Sequence, residues 1–318
     1  MANEDEATAR PIGSVAVVGA GTMGRQIATL VAASGRSVRL TDAAVAALDE
    51  APGRIREELQ TLPHLPRYAH HTFRREPPAD HEALLARIGT VSSLADAVAG
   101  ADLVIEAVRE DLETKRTLFA ELDRLAPAAI LATNSSSIPS SLLASAVADP
   151  GRLLNTHFFA PVWSRPMVEL MGSGETTAVT MDRVEAFARS LGIVVAKVRG
   201  DSKGFIINRV WRAVKREALR VVDEGHADPE DVDRLWMIFF GTPSGPFGIM
   251  DMVGLDVVAD IETSYQRVAT DPADRPSAVL HAKLAEAALG EKTGRGFYGH
   301  PEPEYLQPGW LGGGVEVE

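Results

Sequence analysis

A strand, a glycine turn, a helix and a second strand near the start of the chain set the tightest limit on how it can fold. The apolar run Val15 to Val18 leads directly into the sequence GAGTMG, and a helix-length stretch follows to Ser34. A second apolar run, Ser37 to Leu40, ends beside Asp42. This order predicts a βαβ unit. Such units build parallel sheets that have helices on their faces.

The glycines of the turn have the spacing of a dinucleotide fingerprint. Gly19 permits the tight turn, Gly21 lets the backbone approach a pyrophosphate, and Gly24 lets helix and strand pack closely. The helix that begins here offers free N–H groups and the positive end of its dipole. The turn, with Thr22 and Met23, is therefore predicted to bind a dinucleotide. A glycine turn without a ligand is the alternative reading of these three positions.

Asp42 indicates which dinucleotide is bound. It ends the second strand 18 residues beyond Gly24, where a carboxylate can accept hydrogen bonds from a ribose diol. A 2′-phosphate would be repelled there, and the next residues, Ala43 and Ala44, offer it no cation. The sequence therefore predicts NAD rather than NADP. An ordinary aspartate at a strand end is the alternative.

The rest of the chain predicts two domains, as does its length of 318 residues. Strand candidates alternate with helix-like stretches up to residue 200, and only helix-like stretches follow. The predicted fold is α/β, with a Rossmann-type doubly wound parallel sheet followed by a smaller all-α C-terminal domain. The predicted boundaries are a loose tail over 1–11, the dinucleotide-binding domain over 12–200, the helical domain over 201–300 and a tail over 301–318. The strand candidates after the first βαβ unit are Leu103–Ala107, Ala129–Ala132, Leu153–His157 and Ile193–Val198.

Composition excludes several classes of function. The net charge of −12 and the pI near 5.2 oppose general attraction to nucleic acid or anionic lipid. The chain has no cysteine, which excludes disulfides and thiolate chemistry. No apolar stretch is long enough to cross a bilayer, and the acidic first ten residues do not resemble a signal peptide. We therefore expect a cytoplasmic protein that binds neither nucleic acid nor membranes.

One segment, Leu62 to Ala79, departs from the strand and helix pattern. It contains four prolines and the histidines His64, His70 and His71. The spacing of these histidines matches no metal-ligand motif, so no metal site is predicted and a solvated surface excursion is favoured.

His157 and Glu169 are the candidate catalytic residues on chemical grounds. Oxidising a secondary alcohol with NAD requires a base for the hydroxyl proton, and histidine suits that task near neutral pH. His157 ends a predicted strand, where ligands bind in open α/β sheets. Glu169 follows beyond a proline-containing loop and could return to hold the other imidazole nitrogen. A structural histidine is the alternative.

Six motifs follow one another in the order found in the 3-hydroxyacyl-CoA dehydrogenases. From Val15 to Tyr298 the chain resembles that family, which uses NAD to interconvert (S)-3-hydroxyacyl thioesters and their 3-oxo forms in fatty acid metabolism. The motifs are EAVRED (106–111), TNSSS (133–137), HFFAPVWSRPMVE (157–169), GFIINR (204–209), GTPSGPFGIMDMVGLD (241–256) and KTGRGFY (292–298).

The resemblance also assigns residues. It implies that His157 and Glu169 form the catalytic dyad and that Ser136 and Asn208 hydrogen-bond the reacting oxygen. Ser136 could instead cap a helix, and Asn208 could be a polar residue at a helix start. The resemblance places Glu110 and Lys115 near the nicotinamide and the substrate, with a solvated helix face as the alternative. It also implies a homodimer formed by the helical domain, for which Trp211, Trp236, Met237, Ile238, Phe239 and Phe240 supply apolar surface.

Two departures from the family bear on substrate choice. Ala160 stands where the family commonly has asparagine, and Trp163, Ser164 and Arg165 follow in an unusual loop. The excursion over 62–79 replaces a helical hairpin whose basic residues contact coenzyme A. Other arginines could still meet phosphates; they are Arg54, Arg56, Arg67, Arg74 and Arg75.

Three functions follow, in order of preference. The first is the NAD-dependent interconversion of a 3-hydroxyacyl-CoA and its 3-oxo form. The second keeps the reaction but uses a free 3-hydroxy acid, such as a gulonate- or carnitine-like compound, or a hydroxyacyl group on a carrier protein. The third is a binding or structural protein that keeps only the fold.

Overall fold

The computed structural model describes residues 11–61, 75–267 and 274–313. The chain divides into two compact units, Met1–Asn208 and Arg209–Glu318. The histidines of the excursion, at positions 64, 70 and 71, lie outside the described residues. Within the described ranges, no helix is both long and apolar enough to cross a membrane. The same ranges contain no cluster of three or more histidine, aspartate and glutamate side chains that could hold a metal.

The first unit is built on an eight-stranded sheet with the order β3-β2-β1-β4-β5-β6-β7-β8. Every neighbouring pair is parallel except β6 and β7. The predicted fold class is confirmed, and its sheet is mostly rather than wholly parallel. The strands are β1 Val15–Val18, β2 Val38–Thr41, β3 Ile88–Thr90, β4 Leu103–Glu106, β5 Ile130–Thr133, β6 Leu153–Phe158, β7 Met167–Gly172 and β8 Val194–Val198.

Helices cover both faces of this sheet and enclose two apolar cores. Successive residues of a strand point to opposite faces. Val15 and Val17 accordingly belong to one core cluster, and Ala16 and Val18 belong to the other. The helices of this unit are α1 Thr22–Ala33, α2 Val45–Thr61, α3 His81–Leu85, α4 Leu94–Val98, α5 Leu112–Leu125 and α6 Ala178–Ser190.

The second unit is helical. Its first helix, α7 Ile207–Asp223, begins two residues before the boundary between the units, and α8 Pro229–Phe240, α9 Pro246–Val253, α10 Leu255–Gln266 and α11 Ala278–Ala285 follow. The sequence predicts a turn over residues 243–248, and this prediction is wrong after Gly245. Pro246 starts α9 because proline fits the first turn of a helix. The sequence also predicts a short helix over 283–288, but the helix in this region is α11, which ends at Ala285. The Ser277 side chain caps α11 by accepting the Leu280 N–H.

Two buried aspartates explain the glycine- and aromatic-rich motifs of the second unit. Asp233 of α8 accepts the N–H groups of Phe247 and Gly248 and so caps α9 from a neighbouring helix. Burial raises its pKa to about 6 against those hydrogen bonds. Asp251 of α9 likewise accepts two backbone N–H groups, those of Phe297 and Tyr298. The motifs over 241–256 and 292–298 therefore form part of the core of the second unit.

Candidate active site

Each of the three glycines in the turn after β1 is required for a different structural reason. Gly19 has a φ of +111°, and a Cβ there would lie 2.6 Å from the Ala107 carbonyl oxygen. A Cβ on Gly24 would lie 1.7 Å from the Gly19 carbonyl oxygen, so only glycine lets α1 pack this closely. A Cβ on Gly21 would meet nothing within 4 Å. Gly21 therefore faces open space, as the backbone nearest a pyrophosphate must.

The start of α1 leaves its first N–H groups available. Gly21 occupies the N-cap position without a side-chain cap, and the first turn contains no acidic residue. An uncapped helix N-terminus beside open space attracts phosphate through its N–H groups and its dipole. Thr22 is the exposed first residue of this helix. The described residues thus fit a pyrophosphate at the turn.

A cleft of about 580 Å³ runs from the glycine turn to Asp42. The Asp42 carboxylate accepts the Ala20 N–H at 2.7 Å and the Ala44 N–H at 2.8 Å, which fixes its position at the end of β2. Each carboxylate oxygen retains a further lone pair for a hydroxyl. Asp42 can therefore join the glycine turn to a ribose in the same cleft.

A second cavity, of about 310 Å³, brings together five of the predicted catalytic and cofactor residues. Ala107 and Val108 line both this cavity and the first cleft. The cavity is lined by Met23, Glu110, Lys115, Ser136, His157 and Ala160, together with Ala107, Val108, Asn134, Ser135, Phe158 and Phe159.

Strand pairing brings His157 and Glu169 together. They are register partners in the antiparallel pair β6–β7, so their side chains leave the same face of the sheet. His157 Nδ1 lies 2.9 Å from Glu169 Oε2, and both residues are buried. A carboxylate only accepts hydrogen bonds, so Nδ1 carries the proton. In the neutral imidazole Nε2 then carries no proton and can act as a base.

The other oxygen of Glu169 is held by backbone. Glu169 Oε1 accepts the N–H groups of Ile206 at 3.0 Å and of Ile207 at 2.8 Å. Ile207 is the first residue of α7, so Glu169 sits at a helix N-terminus. Glu169 therefore has one oxygen fixed by backbone and the other on the imidazole.

Lys115 is buried among carboxylates rather than on a solvated helix face. Its side chain is 1% exposed, and its Nζ lies 2.6 Å from Glu106 Oε1 and 3.5 Å from Glu110 Oε2. Glu106 also accepts the hydroxyl of Thr133 and the N–H of Val108. The solvated-face alternative is therefore wrong for Lys115.

Glu110 organises the loop after β5. Its Oε1 accepts the Ser136 N–H at 3.0 Å and the Ser137 N–H at 2.8 Å. Burial acts to raise the pKa of Glu110, but hydrogen bonds from Ser135 and Ser137 and the charge of Lys115 outweigh it and lower the pKa. Glu110 is therefore a charged anchor for the TNSSS loop.

Ser136 and Asn208 lie together. The Nδ2 of Asn208 donates to the Ser136 carbonyl oxygen at 3.4 Å. Ser136 lines the cavity that contains His157. Ser136 does not fill its alternative role as a helix cap, because Pro139 is at the N-cap position of the short helical segment that follows, Ser140–Ala146. Asn208 is the second residue of α7, so it does lie at a helix start, as its alternative reading holds.

The unusual loop after β6 is closely packed. Trp163 is 2% exposed and Ser164 is 3% exposed, and Arg165 donates to the Ala160 carbonyl oxygen at 2.6 Å. Of the arginines considered for phosphate, Arg56 pairs with Glu82 through two hydrogen bonds. Arg54 lies 3.6 Å from Glu50 and from Glu57. Positions 67 and 74 lie outside the described ranges.

Sequence reasoning missed three residues around the site. Glu106 pairs with Lys115, Asn134 Oδ1 accepts the Phe158 N–H at 2.9 Å, and the Phe205 ring lies 5.2 Å from the His157 ring. Glu106 and Asn134 each stand at or just after the end of a strand, which is a usable signal in a parallel sheet. Phe205 lies within the motif GFIINR but carries no polar group that would single it out.

A dinucleotide-dependent dehydrogenase is the class of protein that this fold and site define. Residues 14–202 match the family model described as 3-hydroxyacyl-CoA dehydrogenase, NAD binding domain. Residues 204–300 match the C-terminal domain of the same family. The chain therefore belongs to the 3-hydroxyacyl-CoA dehydrogenase family. The predicted family and the predicted cofactor, NAD, are confirmed.

Individual relatives cover nearly all of the chain. The mitochondrial hydroxyacyl-coenzyme A dehydrogenase of Sus scrofa is 34% identical over 289 residues, which are 89% of this chain and 90% of the relative. The structure of (S)-3-hydroxybutyryl-CoA dehydrogenase from Ralstonia eutropha has a TM-score of 0.79 at 32% identity, covering 92% of this chain and 100% of that one. A diketoreductase described as acting on dicarbonyl compounds has a TM-score of 0.79 at 33% identity, with the same coverage.

Proposed function

We propose that this protein uses NAD to interconvert an (S)-3-hydroxyacyl-CoA and the corresponding 3-oxoacyl-CoA. The observation that carries the proposal is the His157–Glu169 pair. His157 lines a cavity that adjoins the cleft between the glycine turn and Asp42. A base with its second nitrogen held by a carboxylate is what alcohol oxidation requires.

In the oxidation direction, Nε2 of His157 accepts the proton of the substrate hydroxyl, and Glu169 stabilises the resulting imidazolium. NAD, when bound, supplies the hydride acceptor, so the carbon loses its hydrogen with two electrons while the oxygen loses a proton. Ser136 and Asn208 orient the reacting oxygen. In the reverse direction the imidazolium returns its proton to the oxygen.

Cofactor binding is assigned to the other predicted residues. Gly19, Gly21 and Gly24 form the backbone cradle, and Thr22 and Met23 begin the helix that faces the pyrophosphate. Asp42 accepts the ribose hydroxyls. Glu110 and Lys115 line the cavity that contains His157. We assign them to the nicotinamide end of the cofactor site.

A short 3-oxoacyl-CoA such as acetoacetyl-CoA is expected to be reduced with NADH faster than the matching free acid, by about tenfold or more in kcat/KM. The thioester arm offers remote contacts whose binding energy can position the carbonyl, whereas a short acid offers few. The measurement is the loss of NADH absorbance with a panel of CoA thioesters, carrier-protein thioesters and free acids of equal chain length.

Two outcomes of this panel point elsewhere. Turnover of free acids alone would replace the proposal with a hydroxy-acid dehydrogenase, a reading favoured by Ala160 in the cavity wall and by the similarity to a diketoreductase. Binding of NADH without turnover of any substrate would favour a non-catalytic protein. The His157→Ala variant is the matched control for background reduction.

We further expect a homodimer that uses the apolar face of α8. Ile238, Phe239 and Phe240 are 59%, 81% and 57% exposed in the single chain, whereas Met237 is buried in the core of its own unit. Contiguous exposed aromatic surface of this kind marks an interface. Light scattering at micromolar concentration is expected to give twice the 34.0 kDa chain mass. The variant Phe239→Lys should shift the protein towards monomer, and a wild-type monomer would refute the dimer.

A further inference from the structure

The backbone at Phe205 adopts a conformation that bulky residues rarely take. Its φ is +53°, and Ala287 is the one other described non-glycine residue with a positive φ. A left-handed conformation at a bulky residue persists only where the surroundings enforce it, and such residues cluster at functional sites. Phe205 is also 1% exposed. The residues around Phe205 should therefore explain why a buried aromatic side chain occupies this strained backbone position.

Local hydrogen bonds lock the turn that holds this conformation. The Phe205 N–H donates to the Ser202 carbonyl oxygen at 3.0 Å, and the Ser202 hydroxyl donates to the Phe205 carbonyl oxygen at 3.3 Å. Gly204, just before, is also left-handed, with a φ of +80°. Two successive left-handed residues reverse the chain immediately before α7. The reversal directs the next two N–H groups, those of Ile206 and Ile207, onto Glu169 Oε1.

The ring of Phe205 contacts the other member of the pair. Its centroid lies 5.2 Å from that of His157, and Phe159 lies 4.2 Å from the same imidazole. Two aromatic rings thus limit the imidazole to the orientation in which Nδ1 meets Glu169. Phe205 therefore contributes to both members of the pair: its backbone turn orients the N–H groups that bind Glu169, and its ring contacts His157.

We propose that Phe205 is a positioning residue for the reaction, whose left-handed backbone fixes Glu169 and whose ring fixes His157. The inference rests on the proposed function, because it assigns Phe205 to the dyad of that reaction. It also explains why a large residue occupies a position where glycine would cost less: glycine would supply the backbone but not the ring.

Three substitutions separate the two contributions. Phe205→Ala keeps the conformational penalty and loses the ring, Phe205→Gly keeps the backbone conformation and loses the ring, and Phe205→Leu keeps apolar bulk without an aromatic face. Ala287→Gly is the matched control, because it relieves the same backbone conformation at an exposed position of the second unit. This control should raise Tm and leave kcat unchanged.

The first readout needs no substrate. In protein labelled with ¹⁵N-histidine, the Nδ1–H proton of His157 that is hydrogen-bonded to Glu169 should give a downfield resonance that is absent from Glu169→Gln. We expect Phe205→Gly to retain this resonance and Phe205→Ala to lose or broaden it. If the resonance is lost from both Phe205→Gly and Phe205→Ala, the role of the Phe205 backbone is overturned. Retention of the resonance in both variants would overturn that role as well.

The second readout is kinetic. Phe205→Ala is expected to lower kcat about tenfold, with smaller losses for Phe205→Gly and Phe205→Leu, and with a KM for NADH near that of the wild type. The isotope effect on kcat with 4-deuterated NADH should increase, since hydride transfer itself is slowed. Partial unfolding would lower kcat without raising the isotope effect. A folded Phe205→Ala variant with wild-type kcat and isotope effect would overturn the inference, whereas an inactive wild-type protein would instead end the proposed function.

Discussion

Replacing His157 with alanine is expected to lower kcat by about 10²- to 10⁴-fold, the usual contribution of general acid–base catalysis. The variant removes the one base whose second nitrogen is held by Glu169, and it leaves the glycine turn and Asp42 untouched. NADH should therefore bind with nearly unchanged affinity. The measurements are kcat with a 3-oxoacyl-CoA and the Kd of NADH from its fluorescence.

Glu169→Gln tests the same assignment from the other side. Glutamine keeps the shape of the side chain but loses the charge that stabilises the imidazolium, so turnover should fall by a smaller factor than in His157→Ala. A His157→Ala variant that remains fully active would show that the dyad assignment is wrong. A loss of NADH binding along with activity would instead indicate that the variant has damaged the fold.

Asp42 is expected to give a preference for NAD over NADP of about 100-fold in kcat/KM. A hydrogen bond to a charged group contributes about 1.5–3 kcal/mol, and repulsion of the 2′-phosphate adds to it. Each 1.4 kcal/mol corresponds to a tenfold ratio. Asp42→Ala should reduce this preference at least tenfold, measured as the ratio of kcat/KM for the two cofactors.

Two further variants keep that test specific. Asp42→Asn retains an acceptor for one of the two backbone N–H groups that Asp42 holds, so it separates loss of charge from collapse of the turn. Asp49→Ala removes the same charge from an exposed position on α2 and should leave the preference unchanged. Equal use of both cofactors by the wild-type protein would refute the role given to Asp42.

Local signals made much of the fold predictable. The sequence predicts helices over 112–125 and 229–240, and these are the bounds of α5 and α8. Asp111 caps the first helix, and Pro229 and Gly241 delimit the second. The glycine turn is predictable because the three glycines lie within six residues and each is required for its own steric reason. His157 stands out because a histidine lies next to the end of a buried strand.

Features that depend on distant contacts were not predictable. Strand β7 contains a glutamate at a buried position, and its partner in the sheet is known only once β6 has been placed beside it. Lys115 looks like any lysine on a helix until Glu106 is found beneath it. The positive φ of Phe205 is a property of the folded turn, and phenylalanine at that position gives no sign of it. Sequence pattern therefore predicts where the candidate site lies, and tertiary contacts show which residues surround it.

The register between β6 and β7 has a consequence for how this enzyme can diverge. Because cross-strand pairing fixes His157 opposite Glu169, the loop joining the two strands does not have to hold the dyad. That loop carries Ala160, which lines the cavity, and Trp163, which is buried in the apolar core of the first unit. Under the proposed function, chemistry and selectivity are carried by separate segments of one hairpin. We therefore expect substitutions in the loop to change which molecule enters while the proton transfer stays the same, which makes this loop the natural place to begin engineering a new substrate range.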